Sequence, residues 1–220
     1  MAVKPILFNT EMVRAILDGR KDATRRIVKG FIPNDAVWGY TAFTPKGYIS
    51  CRGTFADGYG EKFFKLPCEP GNILYVRETW KKVPNGYYYY EDWQKNVIAD
   101  ITKWKPSIHM PKEAARIWLK VTDVRAERLQ DIDEDGAVKE GIPWSECRNC
   151  KAPFGCDACA GEGYDEIDAF AELWDSTIKK IDLDFYGWNA LAILIHRVLQ
   201  PTFGRGAIPH RQGTLRAFEA

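Results

Sequence analysis

The chain has 220 residues, enough for one decorated domain or at most two small ones. Apolar residues make up 45% and charged residues 28%, an ordinary balance for a globular protein. The formal net charge of +1 argues against a strong nonspecific nucleic-acid binder, and no apolar run approaches the ~18 residues of a membrane-crossing helix. Met1 to Pro5 opens no long apolar stretch of the kind a secretory leader carries, so a cytoplasmic, reducing location is expected. The charge is unevenly spread. Residues 1–30 hold seven basic against three acidic side chains, whereas 131–140 is acidic, with Lys139 its single cation. The two segments either face each other across one pocket or form two solvated faces.

In chain order, Pro5 to Phe8 reads as a short buried strand. Asn9 or Thr10 is placed to cap a helix carrying Met12, Val13, Ile16 and Leu17 at helical spacing, and Gly19 stands where a left-handed residue stops it. Arg20 to Arg26 follows as a polar loop. Residues 31–70 read as short strands and turns, and Ile73 to Arg77 as a strand after the Pro70-Gly71-Asn72 turn. Residues 81–105 form a polar, aromatic insert or long hairpin that includes Tyr87 to Tyr90. Arg116 to Val124 alternates as a half-buried strand with Ile117, Leu119 and Val121 on one face. Asp133 is placed to cap a short helix over 134–139 closed near Gly141, and Gly136 weakens that helix. Ile167, Phe170, Ala171 and Trp174 mark a further helix, and Leu191 to Val198 a last strand. Strands outnumber helices without βαβ alternation, which predicts an α+β chain built on a small mixed barrel with flanking helices.

Cys147-x-x-Cys150 and Cys156-x-x-Cys159 are separated by five residues. Each turn aims two thiolates at one ion, and together they complete a closed tetrahedral site suited to structural Zn2+. In a reducing compartment this is a better reading than two disulfides; free or redox-active thiols are the alternative. The run from Cys156 through Gly161 and Gly163 resembles the knuckle of DnaJ-type chaperones over eight residues, from which only shared geometry is inferred. Cys51 and Cys68 lie far from this cluster and read as buried bystanders.

Gly19-x-Lys21 followed by Arg26 resembles the GxKxxxxR signature of the ASCH family. Agreement with its phage and bacterial members extends through Pro5–Phe8, Met12–Lys21, Thr24–Val28, Pro70-Gly71, Val76–Trp80, Lys105–Pro111, Leu129–Ile132, Glu140-Gly141 and Leu173–Ser176. The resemblance implies a single PUA-like domain over 1–200, a small β-barrel with flanking helices and a cleft. Inserts would fall at about 81–105 and 143–163, the second a zinc knuckle, with a tail over 201–220. It also implies a bacterial cell or phage-infected host. Small members of the family act as N4-acylcytidine amidohydrolases through a Lys, a Thr three residues later and a Glu from the helix after a central strand. The matching residues here are Lys21, Thr24 and Glu140. Other members are ribonucleases or RNA binders. This chain is roughly twice as long as the small hydrolases.

The implied chemistry is physically coherent. A threonine hydroxyl attacks only when a base takes its proton. A lysine desolvated beside Arg25 and Arg26 has a lowered pKa and can serve. Glu140 can protonate the departing amine or orient water. A carboxylate near a helix C-terminus is disfavoured by the dipole, which suggests that it pairs elsewhere, with Lys21. Arg25, Arg26, Arg77, Glu78, Trp80 and His109 are the candidate substrate-binding residues, although core packing suits Trp80 equally well. His196 reads as structural. The partner expected is a modified nucleoside or RNA, with no membrane. Three functions follow: hydrolysis of an N4-acylated cytidine or related nucleoside, noncatalytic recognition of RNA, and metal-dependent ribonuclease activity based on the acidic stretch 131–140.

The cysteine pattern predicts about one zinc per chain in protein prepared under reducing conditions. Elemental analysis of the purified protein tests this, and metal-free protein with four titratable thiols in the cluster would reject it.

Overall fold

A computed structural model describes residues 2–28, 30, 32–93, 102–142, 166–183, 188 and 193–203. Among these the chain is mixed α+β. In order it forms β1 (Val3–Leu7), α1 (Thr10–Leu17), β2 (Ala23–Arg25), β3 (Val37–Gly39), β4 (Tyr48–Phe55), β5 (Gly58–Lys65), β6 (Ile73–Arg77), β7 (Trp80–Val83) and β8 (Gly86–Tyr89). There follow α2 (Tyr90–Trp93), β9 (Ile117–Arg128), α3 (Glu134–Lys139), α4 (Glu166–Thr177) and β10 (Ile193–Phe203).

The main sheet has five strands in the order β1-β6-β9-β10-β2, parallel between β1 and β6 and antiparallel elsewhere. β3-β4-β5 and β7-β8 form two smaller sheets. The described pairings close no barrel. The two edge strands of the main sheet are nevertheless brought within a side chain's reach: Arg26, just after β2, donates from Nη2 to Leu7 O at the end of β1, 3.1 Å away. A side chain thus bridges the edges where a barrel would have a backbone ladder.

β9 carries the alternation expected of it, with Ile117, Leu119, Val121 and Val124 buried. They pack with Leu74 and Val76 of β6 and with Phe8, Val13 and Ile16. β1 differs from the buried strand expected at 5–8. It is an edge strand, and Val3 and Leu7 remain exposed. Pro5, which lacks an N–H, is tolerated there because only one side of the strand is paired. β4 and β5 also differ from the expected short pieces, forming a hairpin of eight residues per strand. Its glycines obscured it in the sequence. Gly53 is required by packing, because a Cβ there would lie 2.7 Å from Pro33 Cγ. β10 runs to Phe203, beyond the expected boundary at 200, with a register shift between Leu199 and Pro201.

The insert expected at 81–105 begins as the β7–β8 hairpin, and its tyrosines acquire separate roles. Tyr87 packs against Trp80 and Tyr88 against Trp93, while Tyr90 meets Trp104 edge-on. Tyr89 donates its hydroxyl to Ala114 O at 2.7 Å. Residues 143–163, where a zinc knuckle is expected, lie outside the described residues, as does the chain beyond 203.

Two helix ends position the candidate site. Asn9 caps α1, accepting from Met12 N at 2.8 Å. At the other end Gly19 (φ +74°) is left-handed; its N–H reaches Ile16 O, while the N–H of Arg20 reaches Ala15 O. This is a Schellman closure. α3 repeats the arrangement: Asp133 caps it through Gly136 N, and Gly141 (φ +95°) closes it with bonds from Gly141 N to Val138 O and Ile142 N to Ala137 O. The two C-termini abut. A Cβ on Gly141 would stand 2.9 Å from Ala15 Cβ and 3.2 Å from Lys21 Cβ.

Substitution of the two closing glycines should therefore differ in cost. Gly19→Ala introduces left-handed strain alone, about 1–2 kcal/mol, since nothing lies within 4 Å of the added methyl. Gly141→Ala adds about 1–3 kcal/mol of overpacking. Urea unfolding of both variants measures the difference, and equal losses would show that the two helix ends do not abut.

Candidate functional site: a buried Lys–Glu–Arg cluster

The Schellman turn of α1 directs the chain back across the end of α3. Lys21 N bonds to Ala15 O, and Asp22 N to Lys139 O. The Lys21 side chain is thereby committed to the space between the two helix ends. Its ammonium donates to Glu140 Oε2 at 2.7 Å, to Glu140 O at 2.6 Å and to Ala23 O at 2.8 Å. These three acceptors use all three donors of an ammonium group.

Glu140 is held from both sides. Its second oxygen, Oε1, accepts from Arg25 Nη1 at 3.1 Å. Arg25 in turn donates from Nε and Nη2 to Glu127 Oε1 on β9. A chain of alternating charge, Lys21–Glu140–Arg25–Glu127, thus joins both helix ends to the main sheet. Basic groups also meet carbonyls of α3 and its closing turn: Arg20 donates to Gly141 O, and Arg25 donates to Gly136 O, which also accepts from Glu140 N. Gly136 allows that approach, since a Cβ there would lie 3.3 Å from Arg25 Nη2 and 2.8 Å from Asp133 Oδ1.

The cluster is sealed from solvent. Lys21, Thr24, Arg25 and Glu140 are all buried, Thr24 to 2% exposure. Phe8 forms one wall, with Lys21 Nζ 5.7 Å and the Arg26 guanidinium 5.5 Å from its ring centre. Phe170 of α4 lies 5.7 Å from the Arg25 guanidinium. Burial pushes the Lys21 pKa below its ordinary value; Glu140 opposes the shift, and Arg26 and Arg25 add to it.

Of the residues expected at a catalytic centre, Lys21 and Glu140 are in direct contact. Thr24 lies on β2 between Ala23, whose carbonyl holds Lys21, and Arg25, which holds Glu140. Its hydroxyl is not among the three partners of Lys21. Arg25 joins the cluster as a charge partner of Glu140, and Arg26 flanks it on Phe8. The basic and acidic segments of the sequence therefore meet. Two other acids of the stretch are used locally: Asp133 caps α3, and Asp135 pairs with Lys139.

The remaining candidates form a separate network. Glu78, 1% exposed, receives a bidentate pair from Arg116 at 2.9 and 2.8 Å, and Arg116 also holds Asp92. Burial pushes the Glu78 pKa up, against the pull of Arg116. Arg116 lies 4.1 Å from the centre of the Tyr89 ring. Arg77 donates to Met110 O at 2.7 Å. Trp80 is buried with Met110 and Ala114, which is core packing and not an open stacking surface. His109 stands exposed on a short turn. The partners of Arg77 and Glu78 are thus Met110 O and Arg116, outside the Lys21 cluster. Arg116 and Glu127, neither singled out in the sequence, complete the two networks. Both lie on or beside the alternating strand β9, where a charged residue reads as a solvated position.

Cys51 and Cys68 are buried, as expected, and burial pushes both thiols up to about 11. Cys147, Cys150, Cys156 and Cys159 lie outside the described residues. Among the described residues no helix is long and apolar enough to cross a membrane, and no group of three or more side chains of metal-ligand type converges. Comparison with family models, characterised proteins and solved structures finds no match to this chain.

Breaking the buried pair should cost about 3–5 kcal/mol in Glu140→Gln, which leaves the Lys21 ammonium buried without its counter-charge, and less in Lys21→Met, where Glu140 keeps Arg25. The double variant should lose less than the sum. The lowered Lys21 pKa means that the native state releases this proton before the unfolded chain does, so the stability it contributes rises with pH up to about the ordinary value of 10.5. Unfolding free energies of wild type and Lys21→Met should therefore diverge, in favour of wild type, as pH rises toward that value. A flat or falling difference would contradict the burial of the charge.

Proposed function

We propose that this chain is an ASCH-type, PUA-like protein that recognises a modified nucleobase and hydrolyses an N4-acylated cytidine or related nucleoside at Lys21, Thr24 and Glu140. The observation that carries the reading is the desolvated Lys21–Glu140 pair, 2.7 Å apart, beside a threonine on β2. A proton moving within the pair leaves a neutral amine on Lys21 and a carboxylic acid on Glu140, a base and an acid made from one ion pair. Burial and the flanking arginines favour the neutral amine.

In the proposed reaction Lys21 exchanges its bond to Ala23 O for one to the Thr24 hydroxyl and accepts the hydroxyl proton. The hydroxyl oxygen then forms a bond to the acyl carbon. As the bond from that carbon to the cytosine amine breaks, the amine takes a proton from Glu140 and departs. Water then gives a proton to the Glu140 carboxylate as its oxygen bonds to the acyl carbon. The bond from that carbon to the Thr24 oxygen breaks, and that oxygen takes back its proton from Lys21, which releases the acid and restores all three residues. Arg26, half-buried over Phe8, binds and orients the substrate. The four-cysteine cluster is proposed to hold a structural zinc.

A second reading is favoured by one observation: all three donors of Lys21 are already satisfied and Thr24 is enclosed. On that reading the cluster is a structural clasp within a module that binds RNA or a modified nucleobase without chemistry.

Release of acetate from N4-acetylcytidine separates the two. Thr24→Ala, Lys21→Arg and Glu140→Gln should each lower turnover by about a thousandfold or more, non-additively, with rates referred to the folded fraction. Arg26→Ala should raise KM more than it lowers kcat. Measurable ligand binding with no hydrolysis across a panel of acylated nucleosides and RNAs would establish the noncatalytic reading.

A further inference from the structure

The β3-β4-β5 sheet has two unlike faces. Residues paired directly across antiparallel strands share a face. On one face lie Trp38, Ile49, Cys51, Phe55 and Phe64, packed into the protein interior. The other face is built from the alternate residues. Val37 pairs with Arg52, Arg52 with Glu61, Thr54 with Tyr59, and Tyr48 with Lys65. Phe63 lies between Lys65 and Glu61 on the same face of β5. Tyr59 is 73% exposed, Val37 68% and Phe63 40%. Arg52 and Lys65 are also exposed, and Glu61 is offset by Arg52 at 4.0 Å.

Exposed rings on a regular sheet carry a solvation cost that local packing does not explain. Their neighbours decide between possible occupants. The centre of a protein–protein interface is depleted in charge and filled with well-packed apolar side chains. This face instead interleaves two exposed rings, and the half-buried Tyr48, with two cations, and Val37 is its single exposed aliphatic side chain among those named. Rings provide stacking surfaces for bases, and adjacent cations meet phosphates. Tyr59 and Phe63 stand four residues apart on one strand, about 13 Å at the usual rise, too far apart to share one base.

We propose that this face binds single-stranded nucleic acid, with Tyr59 and Phe63 stacking on bases and Arg52 and Lys65 contacting the backbone. The near-neutral net charge is compatible with a site that depends on stacking plus a few phosphate contacts, and it implies a shallow salt dependence. The inference rests on the nucleic-acid part of the function proposed above, but it requires no hydrolysis and uses none of the residues of the Lys21 cluster.

The test is fluorescence anisotropy with a labelled oligo(U) strand of about twelve nucleotides, which spans a typical single-strand site, alongside a duplex of the same length. Wild type should bind the single strand in preference to the duplex. Tyr59→Ala and Phe63→Ala should each weaken binding about tenfold, while Phe63→Trp should retain it. Arg52→Gln and Lys65→Gln should each reduce the salt slope by about one. Thr24→Ala should leave oligonucleotide affinity unchanged even where it abolishes nucleoside hydrolysis, so failure of the proposed active site and failure of this surface give different results. Single-strand binding undiminished in the Tyr59→Ala/Phe63→Ala double variant would overturn the proposal. So would a wild-type dimer that the double variant converts to monomer without any oligonucleotide binding, which would identify the face as an interface between copies of this chain.

Discussion

The architecture around the candidate site depends on one buried ion pair, Lys21 with Glu140, placed where two helices end. Each helix stops on a left-handed glycine, and each leaves carbonyls that its own ladder cannot satisfy. The ends approach so closely that only a hydrogen fits at Gly141. Lys21 satisfies the carbonyl at the end of α3 and the carboxylate of the same residue, Glu140, with one ammonium group. The acid is unfavourably placed with respect to its own helix dipole. Its two cation partners make that position tenable, and Arg25 transmits the contact to Glu127 on β9.

On the proposed reading, this arrangement links stability and chemistry through the same atoms. Burying a lysine costs free energy that is recovered only with good geometry. The same desolvation lowers its pKa, against the pull of Glu140. A solvated Lys–Glu pair would offer neither effect. The enclosure of Thr24 also means that any substrate reaches it only after the cluster opens. The region of α3 and α4 has its own apolar cluster, Leu129, Ile132, Ala137, Ile142, Phe170 and Trp174, distinct from the one beneath β6 and β9. Separate apolar clusters allow one part of a fold to shift with limited disruption of another.

The second polar network has a different purpose. Glu78, Arg116 and Asp92 are fastened by bidentate contacts and covered by Tyr89. They tie the end of β6 and the β7–β8 hairpin to the start of β9. Their residue types are those of a binding site, and the sequence alone offered no means of distinguishing an arginine that meets a ligand from one that meets Glu78. Trp80 illustrates the same ambiguity. An indole after a strand serves stacking or packing equally well, and its position behind Tyr87 determines the result.

What the sequence determined by itself was local. Asn9, Gly19, Asp133 and Gly141 marked helix ends because capping and left-handed backbone are properties of single residues. The alternation of Ile117, Leu119 and Val121 marked β9 because one buried face imposes a period of two. The proximity of Lys21 to Glu140 was suggested by a charge mismatch at a helix terminus and by the basic and acidic segments, and was implied by the family resemblance, but its geometry was not legible. Tertiary structure decided the rest. The sheet order that places β1 and β2 at opposite edges, the length of the β4–β5 hairpin, and the separation of Glu78 and Trp80 from Lys21 all depend on contacts between distant segments. Glycines that look like breaks in a strand or helix, Gly53 and Gly136, are places where another element comes too close for a side chain. A sequence names such a residue, but only the folded chain shows what it makes room for.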